Sequence, residues 1–140
     1  MPVFFFSEGT PFHFRKIRKH REWILNTIYS EKKEYEGINI IFCSDQYLLE
    51  INRKFLQRDD YTDVITFSNS DNKQVISGDV FISIDRIKEN ARSFRVSFTN
   101  ELKRVIIHGI LHLCGYQDHT KEEIKKMRQK EDFYLAGYSD

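Results

Sequence analysis

Apolar positions follow two different periods along this chain of 140 residues. Val3-Phe4-Phe5-Phe6 is an unbroken apolar run closed by Ser7-Glu8-Gly9, which predicts a short buried strand. Thr10 before Pro11 predicts a helix start, and Phe14, Ile17, Trp23, Ile24, Leu25 and Ile28 carry a near-helical spacing over 11–29. The run 38–43 suits an interior strand. Ser44 and Asp45 are candidate caps for a second helix to about Phe55, with Leu48, Leu49, Ile51 and Phe55 inward. A polar loop, 58–63, leads into a strand at 64–67. Turn-forming residues at 68–73 join it to a second strand at about 78–84, in which Val80, Ile82 and Ile84 alternate, so the pair predicts a hairpin. Asp85 caps a helix to about Ser93, Thr99 caps a longer one over 100–114, and a last helix spans about 121–135.

The order β-α-β-α-β-β-α-α-α, without repeats or a linker, predicts an α+β fold: one domain over 1–140, with a four-stranded mixed sheet covered by about five helices. Composition narrows the class. Apolar residues make up 40% and aromatic residues 14%, too rich for a disordered chain. Two cysteines, Cys43 and Cys114, give no disulfide framework, and the N-terminal apolar run is too short for a signal peptide or a span. A cytoplasmic protein without a membrane partner is expected. The 22 Lys and Arg against 21 Asp and Glu exclude a nonspecific polycation.

The candidate chemistry lies in 105–119. His108 and His112 are four apart on the long helix, so both imidazoles project from one face, as a shared metal requires. Their neighbours are Ile, Leu and Val, among which unliganded imidazoles would need partners. Gly115 is placed to end the helix through a left-handed residue and turn the chain back toward the pair. The third ligand is then Asp118 or His119, both of which can bind zinc. Two His and one more ligand leave a fourth position open on a tetrahedral Zn²⁺, the catalytic arrangement, with a metal-activated water as the nucleophile. A zinc protease of the H-E-x-x-H kind is disfavoured because Gly109 stands where the Glu would be. Cys114 lies two residues after His112, which turns it away from the ligand face. His13 and His20 have no ligand spacing and read as surface residues.

His108-Gly109-Ile110-Leu111-His112-Leu113-Cys114-Gly115-Tyr116 resembles the H-G-x-L-H-L-x-G-Y-D-H segment of the YbeY family, metal-dependent endoribonucleases of ribosomal RNA maturation and ribosome quality control. Upstream, 49–52, Thr62-Asp63-Val64-Ile65-Thr66-Phe67 and Gly78-Asp79-Val80-Phe81-Ile82-Ser83 resemble its L-N, T-D-V-L-S-F and G-D-I-x-I-S segments. The resemblance implies one Zn²⁺ per chain at the end of a long central helix. It also places Asp59, Asp60 and Asp63 near the metal. Two positions depart from the family. Its third His stands where this chain has Asp118; keeping the register favours His108, His112 and Asp118, whereas an insertion at Gln117 would make His119 the ligand. Its Y-R pair is Phe55-Leu56 here, and Arg58 or Lys54 is left to supply the charge that positions a phosphate.

Charge is segregated in a way that suits RNA. The stretch 9–21 has five Lys or Arg and no acid, and 86–104 has six against two. Arg15, Lys16, Lys19, Lys54 and Arg104 are the RNA-binding candidates, since phosphate contacts dominate such affinity. The expected function is a zinc-dependent single-strand endoribonuclease of ribosomal RNA maturation, partnered by RNA and by the ribosome or its small subunit. The alternative is a non-catalytic assembly factor whose metal is mainly structural.

Overall fold

The computed structural model describes residues 3–138. Its elements are β1 (Val3–Glu8), α1 (Ile17–Ser30), β2 (Glu34–Cys43), α2 (Asp45–Leu56), β3 (Val64–Ser68), β4 (Val75–Ser83), α3 (Ile84–Phe94), α4 (Phe98–Leu113) and α5 (Lys121–Ala136). The sheet order is β1-β2-β4-β3, with β1 and β4 both parallel to β2, and β3 antiparallel to β4. The expected mixed sheet of four strands under five helices is therefore present.

Side-chain alternation sorts the sheet into two faces. Ile38, Ile40 and Phe42 of β2, with Ile76, Val80 and Ile82 of β4, join a core with Trp23, Ile24 and Ile28 of α1, Ile87 of α3, Ile106, Ile107 and Ile110 of α4, and Met127 of α5. Each such fully buried aliphatic side chain contributes about 1.5–3 kcal/mol. The opposite face carries a smaller cluster of Cys43, Leu48 and Ile65 under α2. Helix α4 lies against the first face through Gly109: a Cβ there would sit 2.6 Å from Val80 Cγ1. Close packing of helix on strand thus explains why the residue after His108 is glycine and not a glutamate base.

Five expectations are corrected. Strand β1 is an edge strand, and its Phe4 and Phe6 are 42% and 47% exposed instead of buried. Residues 11–16 are not helical: Phe12 and Phe14 pack on Phe42 at ring separations of 5.2 and 4.7 Å, and helix α1 begins only after Lys16, a residue at φ 57°. Burial of two aromatic rings outweighs the Thr10-Pro11 start signal. His20 is buried among Phe14, Trp23 and Tyr138 and is no surface residue. In α2 the inward position next to Leu48 and Leu49 is Asn52, whose amide donates to the Asp60 carbonyl at 2.8 Å, while Phe55 points outward. Ser83 and Ser97, two residues before the expected Asp85 and Thr99, cap α3 and α4. The earlier hydroxyls cap because each helix already begins at an apolar residue packed on the core, Ile84 in α3 and Phe98 in α4.

Candidate metal centre

Helix α4 presents His108 and His112 one turn apart, and its C-terminus builds the rest of the centre. The Tyr116 N–H donates to the Leu111 carbonyl at 3.1 Å and the Gly115 N–H to the His112 carbonyl at 3.0 Å. This is a Schellman turn, and it needs Gly115 at φ 110°, a backbone conformation that a Cβ would strain. The turn brings the Tyr116 carbonyl back over the helix end, where it accepts from His112 Nδ1 at 2.9 Å. Two residues later Asp118 Oδ2 lies 3.4 Å from both His108 Nε2 and His112 Nε2. The two Nε2 atoms are 3.0 Å apart.

The proton positions follow from these partners. A carbonyl only accepts, so His112 carries its proton on Nδ1 and presents a lone pair at Nε2. His108 Nδ1 lies 2.6 Å from Glu131 Oε2, and that carboxylate fixes the same tautomer. Three lone-pair atoms therefore converge, and only a cation or a proton among them relieves their repulsion. The separations fit a metal: ligand atoms about 2.0–2.1 Å from a tetrahedral zinc lie about 3.3 Å from one another. Among the described residues, His108, His112 and Asp118 are the group of His, Cys, Asp and Glu whose geometry suits an ion.

Glu131 is itself held. Arg104 Nη1 donates to its Oε1 at 2.8 Å and Arg104 Nη2 to Asp132 at 2.7 Å, and the Glu131 side chain is 7% exposed. The chain Asp132–Arg104–Glu131–His108 is the carboxylate–imidazole support typical of metal sites. Its electrostatics are coherent. Burial disfavours a charged His108, but Glu131, Asp118 and Asp63 outweigh that and raise its pKa above the ordinary imidazole value. Burial and the neighbouring His108 lower that of His112. Burial alone would raise the Glu131 pKa, yet hydrogen bonds from His108 and Arg104 hold it below the usual carboxylate value.

The sequence model of Endoribonuclease YbeY matches residues 7–139. Three curated proteins of that name are similar along nearly their whole length. The Cytophaga hutchinsonii protein is 48% identical over 134 residues, spanning 96% of this chain and 94% of its own. The Karelsulcia muelleri protein is 49% identical over 126 residues, 90% of this chain and 89% of its own. The Bacteroides thetaiotaomicron protein is 46% identical over 136 residues, 97% and 98%. The chain belongs to the YbeY family. A solution structure of a Thermotoga maritima protein superposes with a TM-score of 0.65 at 29% identity, covering 95% of this chain and 86% of that one. YbeY membership makes the chain a hydrolase of RNA, and two of the three converging ligand atoms sit on the helix that carries the family's H-G-x-L-H-L segment, with the third, from Asp118, on the turn that follows it.

Within this YbeY chain the other sequence candidates fall in different places. Arg58 lines a cleft of about 310 Å³ together with Leu56, Asp63, His108, His112 and Asp118, and it lies 3.5 Å from Asp60. Lys54 rests over the Phe55 ring at 5.4 Å and does not line that cleft. Lys19 lines a larger cavity, of about 660 Å³, between α1 and α5 that contains no centre residue; convergent chemistry, not size, identifies the site. Arg15 and Lys16 lie in the segment before α1, away from both cavities' walls. Arg104 is engaged by Glu131 and Asp132. His119 stays outside: its imidazole is exposed and its backbone N–H donates to Glu123 at 3.1 Å in the capping box that starts α5. Cys114 faces another cavity, with its thiol pKa pushed up to about 12 by burial.

Glu131 is the functional residue that sequence reasoning missed. Its signal was present: Met127, Glu131 and Tyr134 form the buried stripe of α5, and a carboxylate on an apolar stripe needs a partner. Asp63 is held inside the cleft, where Asn90 donates to it at 3.3 Å and burial raises its pKa.

Proposed function

We propose that this chain is a zinc-dependent endoribonuclease that cleaves single-stranded RNA during ribosomal RNA maturation and ribosome quality control in the cytoplasm, with ribosomal RNA and the small subunit as partners. The observation that carries the metal reading is the meeting of His108 Nε2, His112 Nε2 and Asp118 Oδ2 with both imidazole tautomers fixed from behind. Three protein ligands leave one tetrahedral position for water or substrate. Zinc held there supplies the Lewis acidity that activates water and stabilises charge on a phosphoryl oxygen.

The chain's own groups do the rest. Glu131 and the Tyr116 carbonyl hold the two rings in the ligating orientation. Arg58, at the rim of the cleft and largely exposed, positions the phosphate as the family's arginine would, in place of the Leu56 side chain. Asp63 is the carboxylate within the cleft that takes the proton released by the attacking water. No helix among the described residues is long and apolar enough to cross a membrane.

The test is cleavage of a labelled single-stranded RNA by protein stripped of metal and reloaded with zinc. Activity should return with about one zinc per chain and be absent in His112→Ala; equal activity of the two proteins would refute the reading. One observation favours a second reading, an assembly factor with a structural metal: the centre ties the 114–118 turn to α4 and, through Glu131, to α5. In that case zinc raises the unfolding temperature while no RNA is cut.

A further inference from the structure

A second cavity, of about 350 Å³, adjoins the Arg58 cleft and shares Asp63, His108 and Asp118 with it. Its floor holds Glu101 of α4, 3% exposed. No described residue donates a hydrogen bond to this carboxylate; burial and the nearby Asp63 raise its pKa, Arg104 and Arg128 oppose that from a distance, and Arg104 is committed to Glu131 and Asp132. Because no fully buried side-chain oxygen among the described residues lacks a partner, the Glu101 oxygens are open to the cavity, where they can accept from a donor that enters it. Two apolar side chains stand at its solvent-facing walls, Phe94 at the end of α3, 59% exposed, and Ile124 of α5, 51% exposed, alongside the exposed Arg128.

The position along α4 sets what fits. Glu101 precedes His108 by seven residues, a rise of about 10 Å along the same helix face. That is the reach of one nucleotide from a phosphate at the metal to the far edge of its base. Single-stranded RNA is read by stacking on exposed apolar or aromatic side chains and by hydrogen bonds to Watson–Crick edges. A carboxylate only accepts, through two oxygens side by side. Guanine is the base whose edge offers two adjacent donors, N1–H and the N2 amino group. Adenine and cytosine place a ring acceptor beside their amino group, and uracil offers a single donor between two carbonyls.

We propose that the Glu101 cavity is a guanine-binding subsite next to the metal centre, with Glu101 pairing with the N1–H and N2 amino group, and with Phe94 and Ile124 as apolar walls for the ring. It makes the enzyme selective for a guanine adjacent to the cleaved bond. The proposal rests on the endoribonuclease reading, so its test has a binding arm that does not need cleavage. Guanosine, inosine and adenosine 5′-monophosphates are titrated into zinc-loaded protein and followed by amide chemical shifts.

Wild type should bind the guanosine compound about tenfold tighter than the adenosine one, with inosine, which lacks the N2 amino group, in between. In Glu101→Gln the preference should shrink to about threefold or less, and in Phe94→Ala all three should weaken by about tenfold as stacking is lost. Shifts should centre on Glu101, Val105 and Phe94. Oligonucleotides differing only in the base beside the scissile bond should show the same order of cleavage rates. Equal binding of the three nucleotides, or a guanine preference untouched in folded Glu101→Gln, overturns the subsite. Base-blind cleavage leaves the endoribonuclease reading standing without the subsite, whereas Glu101-dependent guanine binding with no cleavage does the reverse.

Discussion

The two imidazoles of the centre are four residues apart on one helix, yet they are held by opposite means. His112 is fixed by its own neighbourhood: the Gly115 turn returns the Tyr116 carbonyl to its Nδ1 within four residues. His108 is fixed by Glu131, 23 residues away on another helix and braced by Arg104. The first support depends on a backbone conformation and forms as soon as α4 ends. The second depends on how α5 docks on α4. The difference separates what a local change can disturb from what requires the tertiary structure.

The comparison yields graded expectations. Glu131→Gln removes the carboxylate behind His108 and should weaken zinc binding by about 10- to 100-fold, measured by competition with a chromophoric chelator. Gly115→Ala should cost about 1–2 kcal/mol in thermal or denaturant unfolding, because a Cβ at φ 110° is strained, and should loosen Asp118 and the His112 support together. Gly109→Ala should cost about 1–3 kcal/mol through overpacking against Val80 while leaving both supports in place, so zinc affinity changes less than stability.

The pH dependence of zinc binding should also separate the two rings. The His108 pKa lies above the ordinary value and the His112 pKa below it, so on acidification the proton competes with zinc first at His108. Affinity is then full at alkaline pH and falls as pH drops through the raised His108 value. Replacing Glu131 with Gln removes a group that raises that value, so the fall should move to lower pH even though the affinity at its plateau is smaller. An unmoved profile would mean that His108 is not the ring Glu131 controls.

Legibility in the sequence follows the same division. The helical spacing of His108 and His112, the turn at Gly115 and the approach of a residue at 118 or 119 are local, and the pattern of one segment carried them. The choice between Asp118 and His119 was a question of turn geometry: the capping box of Thr120 and Glu123 holds the His119 backbone and leaves its side chain outside. Glu131 could be found only through the docking of α5. The same holds for the failed helix start at Pro11, where Phe12 and Phe14 are captured by Phe42 from the sheet, and for His20, buried by Trp23 and Tyr138. Strand order shows a related limit: apolar content marked β1 as buried, but it lies at the edge of the sheet and its Phe4 and Phe6 are exposed.

The central claim is that Asp118 completes the centre with the two imidazoles. Zinc affinity and RNA cleavage of Asp118→Ala and His119→Ala, measured side by side, test it most directly. The account predicts that Asp118→Ala loses about 100-fold or more in zinc affinity together with cleavage, while His119→Ala stays within about twofold of wild type. Loss in His119→Ala with Asp118→Ala unaffected would contradict it.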